Sequence, residues 1–258
     1  LFYKKLQNEV YSASFENNIW HKRKTVTDKS MFVTPTGKGM KFFKKGKMMM
    51  YAKMENNTWT KAKPLGDSLS KYFYDPSLYF FMTADETTMY FVSDVEGLGG
   101  FDIFLTQRAM DGTWSAPTPL TPLNTPYNDQ NPVLSADGKT MYFSSEGHNS
   151  MGGFDVYKSQ INTDGTWGKP VNLGYPINNT DDDLYFIMLP DSNFGYYASD
   201  RPGGFGGLDI YRAEYIPLVD TSDANFDPLA FGNGEETEKQ PDPPKAVFDF
   251  LLSGAITD

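Results

Sequence analysis

Short runs of aromatic and β-branched residues recur along this chain, separated by polar turns rich in Gly, Asn, Asp and Pro. An aromatic pair opens one run and a second apolar run follows it, as in YFVS at 90–93 and FDIFLT at 101–106. Tyr, Phe, Val and Ile favour strands, whereas the intervening residues favour turns. The pattern therefore predicts short β-strands throughout the chain and no amphipathic helix.

Four tryptophans show that these strands are organised in repeats. Each Trp ends a similar phrase: NNIW at 17–20, NNTW at 56–59, DGTW at 111–114 and DGTW at 164–167. The tryptophans are separated by 39, 55 and 53 residues, and a fifth aromatic pair, Tyr196-Tyr197, has no Trp after it. About four short strands in a unit of this length are typical of a propeller blade.

We predict an all-β fold, a β-propeller of five four-stranded blades over residues 1–217; a sixth blade would need a unit that the sequence does not show. A single blade cannot bury both of its faces, so blades stack side by side. The segment 224–232 is the candidate closing strand. Residues 218–245 predict an acidic, Pro-rich linker or closing segment. Residues 246–258 either begin a further domain or pair with the edge of the propeller.

Composition excludes several classes of protein. The chain has 258 residues, a net charge of -10 and no cysteine. Disulfide frameworks, thiolate catalysis and Cys-ligated zinc are therefore excluded. An acidic chain is a poor binder of phosphate backbones, so we expect no nucleic-acid partner. No apolar stretch is long enough to predict a transmembrane segment.

The most specific local motif is a turn with two glycines, an apolar residue and an Asp. It reads GLGGFDIF at 97–104, SMGGFDVY at 150–157 and GFGGLDIY at 204–211. Glycine permits close approach of the backbone, and Asp accepts bonds from turn N–H groups. One interpretation is a rim that binds a cation or a partner; the other is turn chemistry repeated with the blade. The candidate interaction residues are Gly99, Gly100, Asp102, Gly152, Gly153, Asp155, Gly206, Gly207 and Asp209.

A second acidic set precedes the inner strands. Asp129 and Asp183 occupy equivalent places in their units, and residues 181–183 form a run of three Asp. Calcium takes oxygen ligands, but the spacing of an EF-hand loop is absent. A solvated acidic turn is the simpler interpretation, and we expect no metal and no cofactor.

Basic residues concentrate in the first two units, whereas carboxylates dominate the rest. Such a cluster is either a patch for an anionic partner or a solvated face. The candidate basic patch consists of Lys22, Arg23, Lys24, Lys41, Lys44 and Lys45.

The sequence assembles no catalytic constellation. The two histidines, His21 and His148, fall in unrelated places, so neither a His-based triad nor a zinc site is indicated. The Asp-box of sialidases separates Asp from Gly by one residue, whereas they are adjacent in DGTW. We predict no catalytic residue and no enzyme, and a sialidase- or lyase-type activity is disfavoured.

The phrases at 135–159 and 196–212 resemble the TolB-like, WD-related propeller repeat: a Ser-x-Asp-Gly turn, an aromatic strand, a Gly-rich turn and then Asp-Ile/Val-Tyr. The likeness covers residues 83–213. It is close to a subgroup of periplasmic OmpA-family proteins that includes PorE-like components of the type IX secretion system. This resemblance implies that residues 251–258 open a carboxypeptidase-regulatory-like β domain. The peptidoglycan-binding domain of that subgroup is absent from this chain.

The resemblance predicts a non-catalytic protein-interaction scaffold, periplasmic and associated with the outer membrane. It would link outer-membrane components of type IX secretion to peptidoglycan, with outer-membrane or periplasmic proteins as partners. The alternative is a glycan- or peptidoglycan-binding module that uses exposed aromatic rings. Exposure of the four tryptophans discriminates between the two, because sugar stacking needs exposed rings.

Overall fold

The computed structural model describes residues 40–46, 48–55, 58–74, 79–189, 193–204 and 206–214 in full. Of the chain before residue 40 it describes only the backbone of short strands. The one helix in the described part, α1, spans Asp67–Tyr72, and no described helix is long and apolar enough to cross a membrane. The predicted linker, the closing segment 224–232 and the strand from 246 lie outside the described residues.

The chain divides into two compact units. The first contains Leu1–Glu96 and Phe104–Pro119, and the second contains Gly97–Ile103 and Leu120–Asp258. Five sheets of three or more strands correspond to the five predicted repeats. The predicted fold class, an all-β propeller built of four-stranded antiparallel blades, is confirmed.

The first unit begins with strands of which only the backbone is described. Antiparallel β1, β2 and β5 form one sheet, and β3 pairs with β4. These strands are β1 (Phe2–Lys5), β2 (Glu9–Ser12), β3 (Phe15–Glu16), β4 (Ile19–Trp20) and β5 (Lys24–Val26).

Two larger sheets complete the first unit. In the first, the order is β10-β8-β7-β6, with β9 also paired to β8; in the second, the order is β11-β12-β13-β14. The strands of the first are β6 (Met31–Val33), β7 (Gly39–Lys45), β8 (Met48–Glu55), β9 (Thr58–Trp59) and β10 (Lys63–Pro64). Those of the second are β11 (Phe80–Met82), β12 (Thr88–Ser93), β13 (Asp102–Gln107, whose first two residues belong to the second unit) and β14 (Thr118–Pro119).

Aromatic side chains and helix α1 fill the core of the first unit. Phe73, fully buried just after the helix, packs edge-to-face on Phe42, Phe80 and Phe91 with ring centroids 5.3, 5.7 and 5.8 Å away. Leu69 points from the helix into the same cluster. The sequence predicted no amphipathic helix, and α1 is a six-residue helix in which Leu69 is the buried residue, so it is too short to show a helical period.

The second unit contains two sheets with orders β15-β16-β17-β18 and β19-β20-β21. Their strands are β15 (Asp129–Leu134), β16 (Thr140–Ser145), β17 (Asp155–Gln160), β18 (Val171–Asn172), β19 (Asp183–Met188), β20 (Phe194–Ser199) and β21 (Asp209–Glu214). The repeated Asp-Val/Ile-Tyr runs form β17 and β21, as predicted.

One end of both sheets carries a row of buried polar residues. In the first sheet, Ser145 at the end of β16 faces Asp129 on one side and Asp155 on the other. In the second, Ser199 lies between the first residues of β19 and β21 in the same way. We call this end of the second unit the carboxylate end. Because the strands alternate in direction, the loops 120–128, 146–154, 173–182 and 200–208 all lie at it.

Candidate binding face

Two of the three Gly-Gly turns of the second unit, those at 97–104 and 150–157, pack against the loop that precedes the first strand of the next sheet. A Cβ atom on Gly99 would lie 2.0 Å from the carbonyl oxygen of Pro126. One on Gly152 would lie 2.5 Å from the carbonyl carbon of Thr180. No side chain tolerates such distances, so the close approach requires glycine. Gly99 and Gly152 are therefore required for the packing of each turn against its loop.

Hydrogen bonds complete this junction in the first latch, which we define as residues 97–103 together with 124–129. The Ile103 amide donates to Oδ1 of Asn124 at 2.9 Å, and Nδ2 of Asn124 donates back to the Ile103 carbonyl at 3.0 Å. A second backbone amide of the turn donates to Oδ1 of Asn128 at 2.9 Å. One buried amide side chain therefore satisfies both polar groups of a strand residue.

The second latch, residues 150–156 together with 178–183, repeats these contacts. Asn178 accepts from the Val156 amide and donates to its carbonyl, both at 2.8 Å. Oδ1 of Asp182 takes the place of the Asn128 oxygen and accepts a turn amide at 2.9 Å. The two latches are thus the same device in consecutive repeats.

Sequence reasoning missed the two latch asparagines. Asn124 and Asn178 are buried, and they stand 54 residues apart, the spacing of the Gly-Gly turns. That recurrence, in Leu-Asn-Thr and Ile-Asn-Asn, was the signal available in the sequence.

The recurrence of Asp in the turns and at the start of β15 and β19 has one geometric explanation. Each of four buried carboxylates accepts the backbone N–H of the residue four positions earlier. The pairs are Asp102 with Leu98, Asp129 with Thr125, Asp155 with Met151, and Asp183 with Asn179. Asp209 is also buried, at the start of β21. A partner would therefore contact the turns around these carboxylates rather than the carboxylates themselves.

Burial dominates the electrostatics of three of these groups. It raises the pKa of Asp102, against the opposing bonds from the Leu98 and Gly99 amides. Burial likewise raises the pKa of Asp129 and of Asp183, although hydroxyl and amide donors lower both in part. The charged forms of these carboxyls are disfavoured because they lie away from water.

Arg201 compensates one of the buried carboxylates. Its guanidinium donates to Asp183 at 2.8 Å and to the Pro176 and Ile177 carbonyls at 3.0 and 2.6 Å. It also lies over the ring of Tyr197, 5.2 Å from the centroid. The Arg201 guanidinium therefore stabilises the folded structure at the carboxylate end.

The loops at the carboxylate end carry an unusual amount of exposed apolar surface. Tyr127 is 60% exposed and Tyr175 is 78% exposed. Three aliphatic side chains of the Gly-Gly turns are exposed as well: Leu98, Met151 and Leu208. Of the large hydrophobic side chains exposed in the described part of the second unit, only Ile161 lies toward the opposite end, while Val171 and Tyr185 lie within strands. Exposed apolar side chains gathered on one face are typical of a binding surface.

The tryptophans do not provide that surface. Trp114 and Trp167 are 9% and 8% exposed, each bridged to the preceding strand. Trp59 is half-buried, and the Lys41 ammonium lies 4.6 Å from its ring centroid. The side chain of Trp20 is outside the described residues. The described tryptophans are structural, and sugar stacking would need other rings.

Three residues of the predicted basic patch lie on β7 among the described residues. Lys41 is half-buried on β7, whereas Lys44 and Lys45 are exposed at the end of that strand. Lys22 and Arg23 are outside the described residues, as is the side chain of Lys24. The patch stays a prediction, as does a partner role for the Gly-Gly turns.

The acidic run before β19 is split by the fold. Asp183 is buried and paired with Arg201, whereas Asp181 and Asp182 are partly exposed. Among the described residues, no three His, Asp or Glu side chains are grouped so that they could hold a metal ion.

Comparisons with known proteins give distant resemblances in fold. No family model and no curated protein matches the chain. An endo-arabinase from Bacteroides thetaiotaomicron is 14% identical with a TM-score of 0.46, over 71% of this chain and 72% of that one. The GH93 α-L-arabinofuranosidase of Fusarium graminearum is 13% identical with a TM-score of 0.46, over 72% of this chain and 62% of its own. The tricorn protease is 10% identical with a TM-score of 0.43, over 80% of this chain and 24% of its own.

These findings correct two predictions. The matching solved structures include an endo-arabinase, α-L-arabinofuranosidases and a GH43_12 protein, and none of these is named as a scaffold or a secretion component. The prediction of a non-catalytic scaffold for type IX secretion is therefore wrong, and so is the prediction of no enzyme. The error arose because the repeat resemblance describes blade construction, and blades of one construction carry unrelated functions.

Proposed function

We propose that this protein is a glycan-binding β-propeller that takes a saccharide chain at the carboxylate end of its second unit. The observation that carries the proposal is the exposure of Tyr127 and Tyr175 in neighbouring loops of that end. A tyrosine ring presents a flat apolar face for the C–H groups of a sugar, and its hydroxyl stays hydrated.

The loops around these rings supply the polar half of such a site. Tyr127 stands next to Asn128, and Asp181 and Asp182 follow Tyr175 in the same loop. Amide and carboxylate oxygens accept bonds from sugar hydroxyls, and amide nitrogens donate to them. The two latches hold both loops on a rigid frame, which limits the entropy lost when a ligand binds.

Direct binding tests the proposal. The protein would be run in native gels that contain arabinan, galactan, xylan or soluble peptidoglycan fragments, and retardation measured. Tyr127→Ala and Tyr175→Ala should each weaken retardation at least about fivefold, since one aromatic contact contributes roughly 1 kcal/mol. Ile161→Ala, an exposed apolar residue toward the opposite end, is the matched control and should leave retardation unchanged.

The same samples would be assayed for release of reducing ends, which decides whether a bound chain is also cut. Unaltered binding by both Tyr variants would contradict the proposed face. Absence of retardation by every polymer would contradict glycan binding itself.

The family and compartment are further proposals. We propose that the chain is a TolB-like propeller and that it works in the periplasm in association with the outer membrane, where cell-wall and surface glycans occur. The motifs over residues 83–213 support the first statement. Fractionation of cells that express the native protein tests the second: recovery in the cytoplasmic fraction would overturn it.

A further inference from the structure

The described loops of the carboxylate end carry mainly negative charge. Four carboxylates are exposed or partly exposed there: Glu146, Asp181, Asp182 and Asp200. The same loops contain no lysine, and their one arginine is Arg201. Its guanidinium is already bonded to the buried Asp183 and to two backbone carbonyls. The face that carries Tyr127 and Tyr175 is therefore electronegative.

No ion pair compensates these four groups within the described residues of the chain. The described salt bridges join Lys53 to Glu86, Lys71 to Glu96 and Arg201 to Asp183. Glu146 accepts a hydrogen bond from the side-chain amide of Asn128, and Asp200 accepts one from the backbone N–H of Asp182. Neutral donors of this kind hold a carboxylate in place but leave its negative charge directed at the ligand.

We infer that the ligand is an uncharged glycan and that the face rejects polymers bearing carboxylate or sulfate groups. The inference rests on the proposed function and adds the chemical class of the ligand. Neutral sugars offer hydroxyl donors to the carboxylates, whereas a uronate would bring like charges together. Among the described residues of these loops the basic side chains are Arg201, which is bonded to Asp183, and His148, whose Nε2 lies 2.9 Å from the Leu123 carbonyl oxygen. Tyr127 and Tyr175 add affinity for either kind of chain, so charge decides between them.

Matched polymers test the inference. Retardation of the native protein would be measured in gels with neutral galactan or arabinan and in gels with polygalacturonate or alginate, at 20 and 500 mM salt. We expect retention by a neutral polymer at both salt concentrations and much weaker retention by the uronates at low salt. In the double variant Asp181→Asn/Asp200→Asn, the ratio of uronate to neutral affinity should rise about tenfold at low salt, because two like-charge contacts are removed.

The outcomes separate the two statements. Equal retention by neutral and anionic polymers, or retention by the uronates alone, overturns the charge inference and leaves glycan binding in place. A ratio that the double variant does not change also overturns it. Retention by neither class overturns the proposed function, and the charge inference falls with it.

Discussion

The two units of this protein hold consecutive blades with different chemistry. In the first unit, an aromatic cluster around Phe73 and the short helix α1 fill the space beside the sheets. In the second, two hydrogen-bonded latches built from Gly, Asn and Asp join turn to loop. The apolar cluster depends on shape and volume, whereas the latches depend on donor and acceptor positions. Because the latches join the loops of the second unit by polar contacts, apolar side chains of those loops are not needed for packing. Tyr127 and Tyr175 are such side chains, and both are exposed.

The largest effect is expected from removing the centre of the aromatic cluster. Phe73→Ala should lower the free energy of unfolding by about 3–5 kcal/mol, because it deletes a fully buried ring and leaves a cavity. Urea unfolding measures the loss, and hydrogen exchange should show faster exchange in β7 and β12. Met110→Ala, at a fully exposed site in the same unit, is the control. A loss below about 1 kcal/mol would show that the cluster is not what holds this unit together.

The second effect tests the glycines of a latch. Gly152→Ala should cost about 3 kcal/mol, because its Cβ would overlap the backbone at Thr180. The matched control is Gly206→Ala, the same motif position in the next repeat, where no described atom lies within 4 Å of the added Cβ. Thermal unfolding of the two variants side by side measures the difference. Equal losses would mean that the motif acts through turn conformation and not through close packing.

The third effect concerns the polar half of the latch. Asn178→Ala should cost about 2 kcal/mol, because the buried Val156 amide loses its acceptor and the Val156 carbonyl keeps only the Leu173 amide as a donor. Asn124→Ala should cause a similar loss of stability in the first latch, since Asn124 makes the equivalent hydrogen bonds to Ile103. Urea unfolding gives the loss, and hydrogen exchange should localise it to β17 and β19. Faster exchange confined to the first unit would refute this assignment.

The smallest effect is a dependence on pH. The pKa values of Asp102, Asp129 and Asp183 are raised by burial, so the folded protein binds their protons more tightly than the unfolded chain does. Their contribution to stability is full below the unfolded pKa of about 3.9 and is lost as the pH rises through the folded values. Asp129→Asn mimics the protonated acid, so its stability relative to wild type should improve as the pH rises.

Urea midpoints at intervals from pH 4 to pH 8 would measure that trend. Asp137→Asn is a suitable control, because Asp137 is an exposed turn residue whose pKa is lowered by the Ser135 hydroxyl. Its difference from wild type should change in the opposite sense, with stability lost relative to wild type as the pH rises. Parallel profiles for Asp129→Asn and wild type would contradict the role of burial.

Local pattern was sufficient for the strands, because propensity and alternation act between near neighbours. The runs before Trp114 and Trp167 became β13 and β17, and the Asp of the Gly-Gly turns accepts a turn amide four residues earlier. Such contacts lie within a few residues, so the sequence displays both partners together. Local pattern does not display α1, because Leu69 is the buried residue of this six-residue helix and one buried position shows no period.

The sequence alone determined the repeat, the all-β class and the turn chemistry, since each depends on residues close together in the chain. Tertiary structure decided which polar side chains are hydrogen-bonded within the fold and which side chains remain exposed. Asn124 meets Ile103 across 21 residues, and Arg201 meets Pro176 across 25. It buried Trp114 and Trp167 and left Tyr127 and Tyr175 exposed. The physical reason is that burial and pairing are properties of the folded neighbourhood, to which distant parts of the chain contribute together.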